Sequence, residues 1–146
     1  MQLKRLMSLQ LDFDGHDYAF TTFHGAWARE MKRSDMPVTA GKLVNASYTG
    51  TTSSRANSFV MLSRPKTTED AGECFGFHLI YSGNHYEATE VNSFGKMRLV
   101  TGINPQAFSY EVAPEECFQA PEAVMAYAEN GFNQMSQRLS LIHISE

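Results

Sequence analysis

Cysteine is scarce in this chain. Cys74 and Cys117 lie far apart, with no Cys-x-x-Cys spacing. A disulfide-stapled scaffold would carry more, and free thiols in a reducing cytoplasm are the simpler reading. Positive charge is not in excess either. The 12 Lys and Arg are scattered and face 16 Asp and Glu, for a net charge of −4. That balance argues against nucleic acid as a partner. No apolar run approaches the ~20 residues of a membrane-spanning helix, so no membrane partner is expected. The basic start Met1 to Leu6 lacks the apolar core of a secretion signal, because Ser8, Gln10, Asp12 and Asp14 interrupt it. There is no G-x-G-x-x-G, no P-loop and no nucleophile elbow. His16, His24, His78, His85 and His143 show neither H-x-H nor H-x-x-x-H spacing, so no metal and no cofactor is expected. The 146 residues suit one domain and are too few for a complete (β/α)₈ barrel, which takes ~250 residues.

What is present is a period of two. Leu3, Arg5, Met7, Leu9, Leu11 and Phe13 face one way and Lys4 to Asp12 the other, which predicts one half-buried strand. Further strands are predicted at Tyr18–Phe23, Lys42–Tyr48, Phe59–Leu62, Cys74–Tyr81, His85–Val91, Met97–Ile103, Phe108–Val112 and Ala123–Tyr127. Turns at Asp14-Gly15, Ser82-Gly83-Asn84 and Phe94-Gly95-Lys96 separate them. The spacing of roughly 8–12 residues is that of an antiparallel sandwich. Asn130-Gly131 opens one helix, with Phe132, Met135 and Leu139 at helical spacing. The expected fold is all-β, an antiparallel β-sandwich with one short C-terminal helix.

Few side chains suggest chemistry. The acidic clusters Glu69-Asp70-Glu73 and Glu115-Glu116 sit in turn-like stretches beside Gly or Pro and read as solvated turns rather than the facing carboxylates of a glycosidase. His78 reads as a hydrogen-bonded core residue. The lone tryptophan, Trp27, has two readings. It is either a buried core residue or an aromatic platform, whose ring face stacks on the C–H face of a sugar. Arg29 would then be near enough to bond a hydroxyl or carboxylate.

Five ordered stretches resemble a known family. They are Gly25-Ala26-Trp27-Ala28-Arg29-Glu30, Gly76-Phe77-His78-Leu79-Ile80-Tyr81-Ser82-Gly83-Asn84, Gly102-Ile103-Asn104-Pro105, Phe118-Gln119-Ala120-Pro121-Glu122 and Asn130-Gly131-Phe132-Asn133-Gln134-Met135-Ser136-Gln137. Together they are similar to the N-terminal region of bacterial α-galactosidases of glycoside hydrolase family 36, the melibiase type, over about residues 3–137. The resemblance implies a large, often tetrameric enzyme that removes α-linked galactose from melibiose and raffinose-type oligosaccharides with retention. It also implies a β-supersandwich ahead of a (β/α)₈ barrel that carries two catalytic aspartates. Residues 1–138 would be the second half of that sandwich, and both aspartates would lie outside this chain. No catalytic residue is therefore assigned here, and the isolated chain is expected to be inactive. The implied partners are the α-galactoside, the enzyme's own barrel and further copies of the subunit. One role carries over residue by residue: Trp27 as a substrate-binding residue.

Two places depart from the family's pattern. Ser53-Ser54-Arg55-Ala56-Asn57 stands where a Ser-Ser-His-Gln stretch is usual, so no ligand role is given to it. Residues 139–146, ending Ser-Leu-Ile-His-Ile-Ser-Glu, resemble the translation of a sequencing adapter and are expected to be a non-native tail; Met1 is expected to be an internal methionine. Half a sandwich would also leave an apolar sheet face open. The alternative reading is a free-standing carbohydrate-binding or assembly module.

Overall fold

Alternating apolar and polar side chains drive most of the chain into strands, as a computed structural model describing residues 1–53 and 55–144 (side chains to Leu141) shows. In order they are β1 (Gln2–Leu3), β2 (Met7–Phe13), β3 (Ala19–Ala26), β4 (Arg29–Pro37), β5 (Gly41–Ala46), β6 (Phe59–Ser63), β7 (Cys74–Ile80), β8 (His85–Val91), β9 (Met97–Ile103), β10 (Tyr110–Glu111) and β11 (Glu122–Ala128), followed by the helix α1 (Gly131–Ile144). A five-stranded sheet runs β11-β7-β6-β3-β4 and a four-stranded sheet runs β2-β9-β8-β5, while β1 pairs with β10. The strand pairings are antiparallel.

The two sheets close on each other. Phe20, Val60, Leu62 and Phe77 from the first meet Met97 and Leu99 from the second, all buried, with Tyr18 and Val38 sealing the side. The open apolar face expected of half a sandwich is therefore absent: each sheet covers the other. A second cluster lies on the outer face of the five-stranded sheet, where Met61, Cys74 and Ala128 receive Met135 of α1, with Phe59, Phe132 and Leu139 around them. Gly76 permits that approach, since a Cβ there would stand 2.9 Å from Met135 Sδ and 3.0 Å from the Phe59 ring. The helix begins at Gly131, whose φ of +83° favours glycine. Its first amides donate to the carbonyls of Gly72, Thr68 and Glu69.

Three elements and one side chain differ from the sequence reading. The long first strand is split, because Leu6 turns to accept a hydrogen bond from the Ile103 amide, while β1 pairs with β10 instead. Phe108–Val112 yields only the two residues of β10. The strand β4 was not expected; it is an edge strand exposed along most of its length, and Arg29, Glu30, Lys32, Arg33 and Asp35 give it charge instead of alternation. His78 lies half-buried on the outer face, edge-on to Phe59, rather than in the core.

The connections sort into two ends. One end gathers the β3–β4 tip at residues 27–28, the long β5–β6 connection 47–58, the β7–β8 turn 81–84, the start of the β9–β10 connection at Asn104 and the entry to β11 at Pro121. Four of the five resemblance motifs thus place their loop residues at this end.

Candidate functional site

The β3–β4 hairpin carries Trp27 at its tip. Ala26 pairs with Arg29, leaving Trp27 and Ala28 as the turn, with Ala28 at φ +61°. One step back the ladder slips: His24 pairs with Lys32, so Gly25 faces two residues, Glu30 and Met31, and Met31 takes φ +55°. Such a bulge increases the local twist and re-aims the tip beyond it. Gly25 is required there, because a Cβ would stand 2.5 Å from the Arg29 carbonyl oxygen and 2.8 Å from Glu30 Cα. Replacing Gly25 with Ala should cost about 1–3 kcal/mol of stability, as overpacking does. A urea midpoint equal to that of the wild type would show that the hairpin relaxes freely.

The tip holds Trp27 in solvent, 91% exposed. The core reading of Trp27 is thereby excluded, and the platform reading keeps its geometric requirement of an open ring face. Arg29 lies just beyond, also exposed. At the same end Ile80, Tyr81, Phe118 and Pro121 line an open groove of about 390 Å³, of which Trp27 is not a wall.

Behind the tip lies a polar cluster that sequence reasoning missed. His85 and Glu87 on β8 are both fully buried. His85 Nδ1 is 2.8 Å from Glu87 Oε2, and Nε2 is 2.8 Å from the Ala56 carbonyl oxygen. Asn45 Nδ2 donates to Glu87 Oε2 at 3.0 Å and to the Asn57 carbonyl at 2.8 Å. A carbonyl only accepts, so Nε2 carries a hydrogen. One further proton is shared between Nδ1 and Oε2, as imidazolium with carboxylate or as imidazole with carboxylic acid.

Burial pushes the Glu87 carboxyl up to about 7, against the pull of His85, Asn45 and, last, Thr101. Thr101 stands opposite Glu87 on β9, but neither its hydroxyl nor Glu87 Oε1 makes a well-formed hydrogen bond among the described residues, so its pull is weak. For His85, burial favours the neutral ring, yet the hydrogen bond and charge of Glu87, with the Ala56 carbonyl, hold its pKa above the ordinary value. The signal that could have marked the pair was the i, i+2 placement of His85 and Glu87, two ionisable side chains on one face of an expected strand.

The remaining candidates have structural work. Glu73 bonds Arg64 and the Tyr127 hydroxyl, Asp70 accepts from Asn133 of α1, and Glu116 accepts from the Ala113 amide. Ser54 of the departing stretch, and Ser145 and Glu146 of the expected tail, lie outside the described residues. Cys74 is buried and Cys117 exposed, and both are free. Among the described residues no group of three metal-ligating side chains is found, and no helix is long and apolar enough to cross a membrane.

Comparison with known proteins agrees with this arrangement. A family model described as the glycosyl hydrolase family 36 N-terminal domain matches residues 1–113. An α-galactosidase of Lactobacillus acidophilus is 40% identical over 97% of this chain, and α-galactosidase AgaA of Geobacillus stearothermophilus is 39% identical over 94%. The chain spans about a fifth (19%) of the length of these relatives. Among solved structures, the α-galactosidase of Lactobacillus brevis superposes with a TM-score of 0.91 at 42% identity, over 94% of this chain and 18% of that one. A variant of AgaA crystallised with raffinose superposes equally well, with a TM-score of 0.91 at 39% identity, over 93% of this chain and 19% of that one.

Proposed function

The chain belongs to glycosyl hydrolase family 36, as its N-terminal domain, and on that premise we propose that it is the sandwich portion of a retaining α-galactosidase acting on melibiose and raffinose-type oligosaccharides. In this reading Trp27 is its substrate-binding residue. The observation that carries the reading is the 91% exposure of Trp27 on a bulged hairpin, at the end where the motif loops converge. A ring held in solvent by a strained turn is costly unless something covers it. A galactose C–H face, with a catalytic barrel completing the pocket, fits that ring.

The chemistry then divides between two bodies. Glycoside hydrolysis with retention needs a nucleophilic carboxylate and an acid/base carboxylate across the bond, and the barrel supplies them. This chain orients the sugar through Trp27 and covers the barrel with its loop-bearing end. Tetramerisation of the whole enzyme and a cytoplasmic location belong to the same proposal, the latter supported by two free cysteines. So do the boundaries, with residues 1–138 as the second half of a larger sandwich and 139–146 as a foreign tail. The open edges of β11 and β5 leave room for more strands, and Leu141 on the helix is 66% exposed.

The test is Trp27→Ala in the full-length enzyme. Loss of an aromatic platform is worth roughly 1–3 kcal/mol by analogy with base stacking, which raises KM roughly 5- to 150-fold. Unchanged KM and kcat would sink the platform role. The 146-residue chain alone is expected to show no turnover on p-nitrophenyl-α-galactoside, and real turnover would overturn the division of labour.

A further inference from the structure

We propose that His85, backed by Glu87 and Asn45, is a positioning residue for the Trp27 hairpin, acting through the segment that ends the β5–β6 connection. The proposal deepens the sugar-platform reading and rests on it for its purpose, but not for its geometry.

The route is short and every step is a contact. His85 Nε2–H donates to the Ala56 carbonyl, and Asn45 donates to the next carbonyl, that of Asn57. The two buried side chains thus hold consecutive peptide units of the connection. Asn57 then reaches both strands of the hairpin. Its amide donates to the Phe23 carbonyl of β3 at 2.9 Å, and its side-chain Nδ2 lies 3.7 Å from the sulfur of Met31, the bulge residue of β4. Its Oδ1 accepts from the Phe59 amide at 2.9 Å, which locks the side chain in place. Phe23 stacks on Phe59 with ring centroids 5.8 Å apart, so the base of the hairpin is tied to β6 as well. The bulge that aims Trp27 is therefore buttressed from the sandwich interior.

The same contacts explain why a polar pair occupies the core. Burying a His and a Glu together costs desolvation that a well-packed apolar pair does not incur. An apolar pair, however, offers no N–H to the Ala56 carbonyl. Glu87 in turn fixes the imidazole's orientation from Nδ1, as a carboxylate behind a working histidine does elsewhere.

The experiment uses the 146-residue chain, whose sheets close on each other, and two sugar-free readouts. Trp27 is the only tryptophan, so its indole N–H gives a single resonance. The Asn57 amide gives a hydrogen-exchange rate. In the double variant His85→Leu/Glu87→Met, the indole resonance is expected to move and Asn57 to exchange at least tenfold faster relative to core amides such as Leu62. His85→Gln, which restores a donor toward Ala56, is expected to return both readouts toward the wild type. Met97→Ala, at the far end of the sandwich, weakens the core without touching the connection and should leave the indole resonance in place. If the double variant does not fold, Asn45→Ala, which takes the side-chain donor from the Asn57 carbonyl, carries the test with the same two readouts. An unmoved indole and unchanged relative exchange at Asn57 in a folded variant would overturn the proposal, as would an equal response to Met97→Ala. None of these readouts involves sugar, so a Trp27→Ala enzyme with unchanged KM would refute the platform and leave the positioning result standing.

Discussion

Replacing His85 with Ala is expected to destabilise the domain by about 3–5 kcal/mol, the cost of stripping a buried charge pair of one partner. Domains of this size are stable by only about 5–15 kcal/mol, so the loss is a large share of the whole. Glu87 would keep only Asn45 as a hydrogen-bond donor, while its Oε1 already makes no bond among the described residues. The Ala56 carbonyl would lose its only side-chain donor among them. A cavity the size of an imidazole adds to the cost. The double change His85→Leu/Glu87→Met removes both polar groups at once and fills the space. It is expected to recover most of the stability, because replacing a buried pair by apolar groups is often neutral. Urea unfolding of both variants and the wild type checks the pattern: the midpoint falls steeply for His85→Ala and little for the double change, with similar slopes. A His85→Ala loss below about 1 kcal/mol would mean that the carboxyl finds other partners.

Much of the fold was legible because burial imposes a period. Strands with one face on the core, such as β2, β3 and β9, advertise themselves by alternation, and β7 is apolar on both faces because α1 covers its outer side. The edge strand β4 was illegible for the complementary reason. It buries little, so nothing selects apolar residues at every second position, and its charges look like those of a loop. The split at residues 4–6 escaped for a different reason. Periodicity continues through it, and only the close passage of Leu6 and Met7 over Gly102, where a Cβ would stand 2.5 Å from the Leu6 carbonyl oxygen, breaks the ladder. At the site, Trp27 and its flanking Gly25 were visible, but not their exposure, since a lone Trp fits a core equally well. The His85–Glu87 pair was hidden because it works through tertiary contacts with Asn45, Ala56 and Asn57, which lie about 30–40 positions earlier in the chain.

The same pair should make stability fall as pH rises through neutrality. In the unfolded chain the Glu87 carboxyl loses its proton near 4.5, whereas burial in the fold holds it to about 7. Between those values the folded state binds more protons than the unfolded one, so stability declines with increasing pH. His85 has the same sign: its folded pKa stands above 6.5, so its contribution is present below 6.5 and is lost as pH rises through the higher folded value. The two effects are not summed, because Nδ1 and Oε2 share one proton and titrate as a unit. Each pKa unit corresponds to about 1.4 kcal/mol, so the Glu87 shift alone sets an upper scale of about 3 kcal/mol. No other charged side chain acts on either group among the described residues. On the acid side the sign reverses for Asp12, whose bond to Arg98 on β9 holds its carboxyl below the ordinary value, and its contribution is lost as pH falls. Urea midpoints measured across about pH 5–8 should therefore fall toward alkaline pH in the wild type. Glu87→Gln cannot release that proton, and its curve should be flatter over the same range. Parallel curves for the two proteins would place the titrating group elsewhere; divergence that grows with pH assigns it to the proton held between His85 and Glu87.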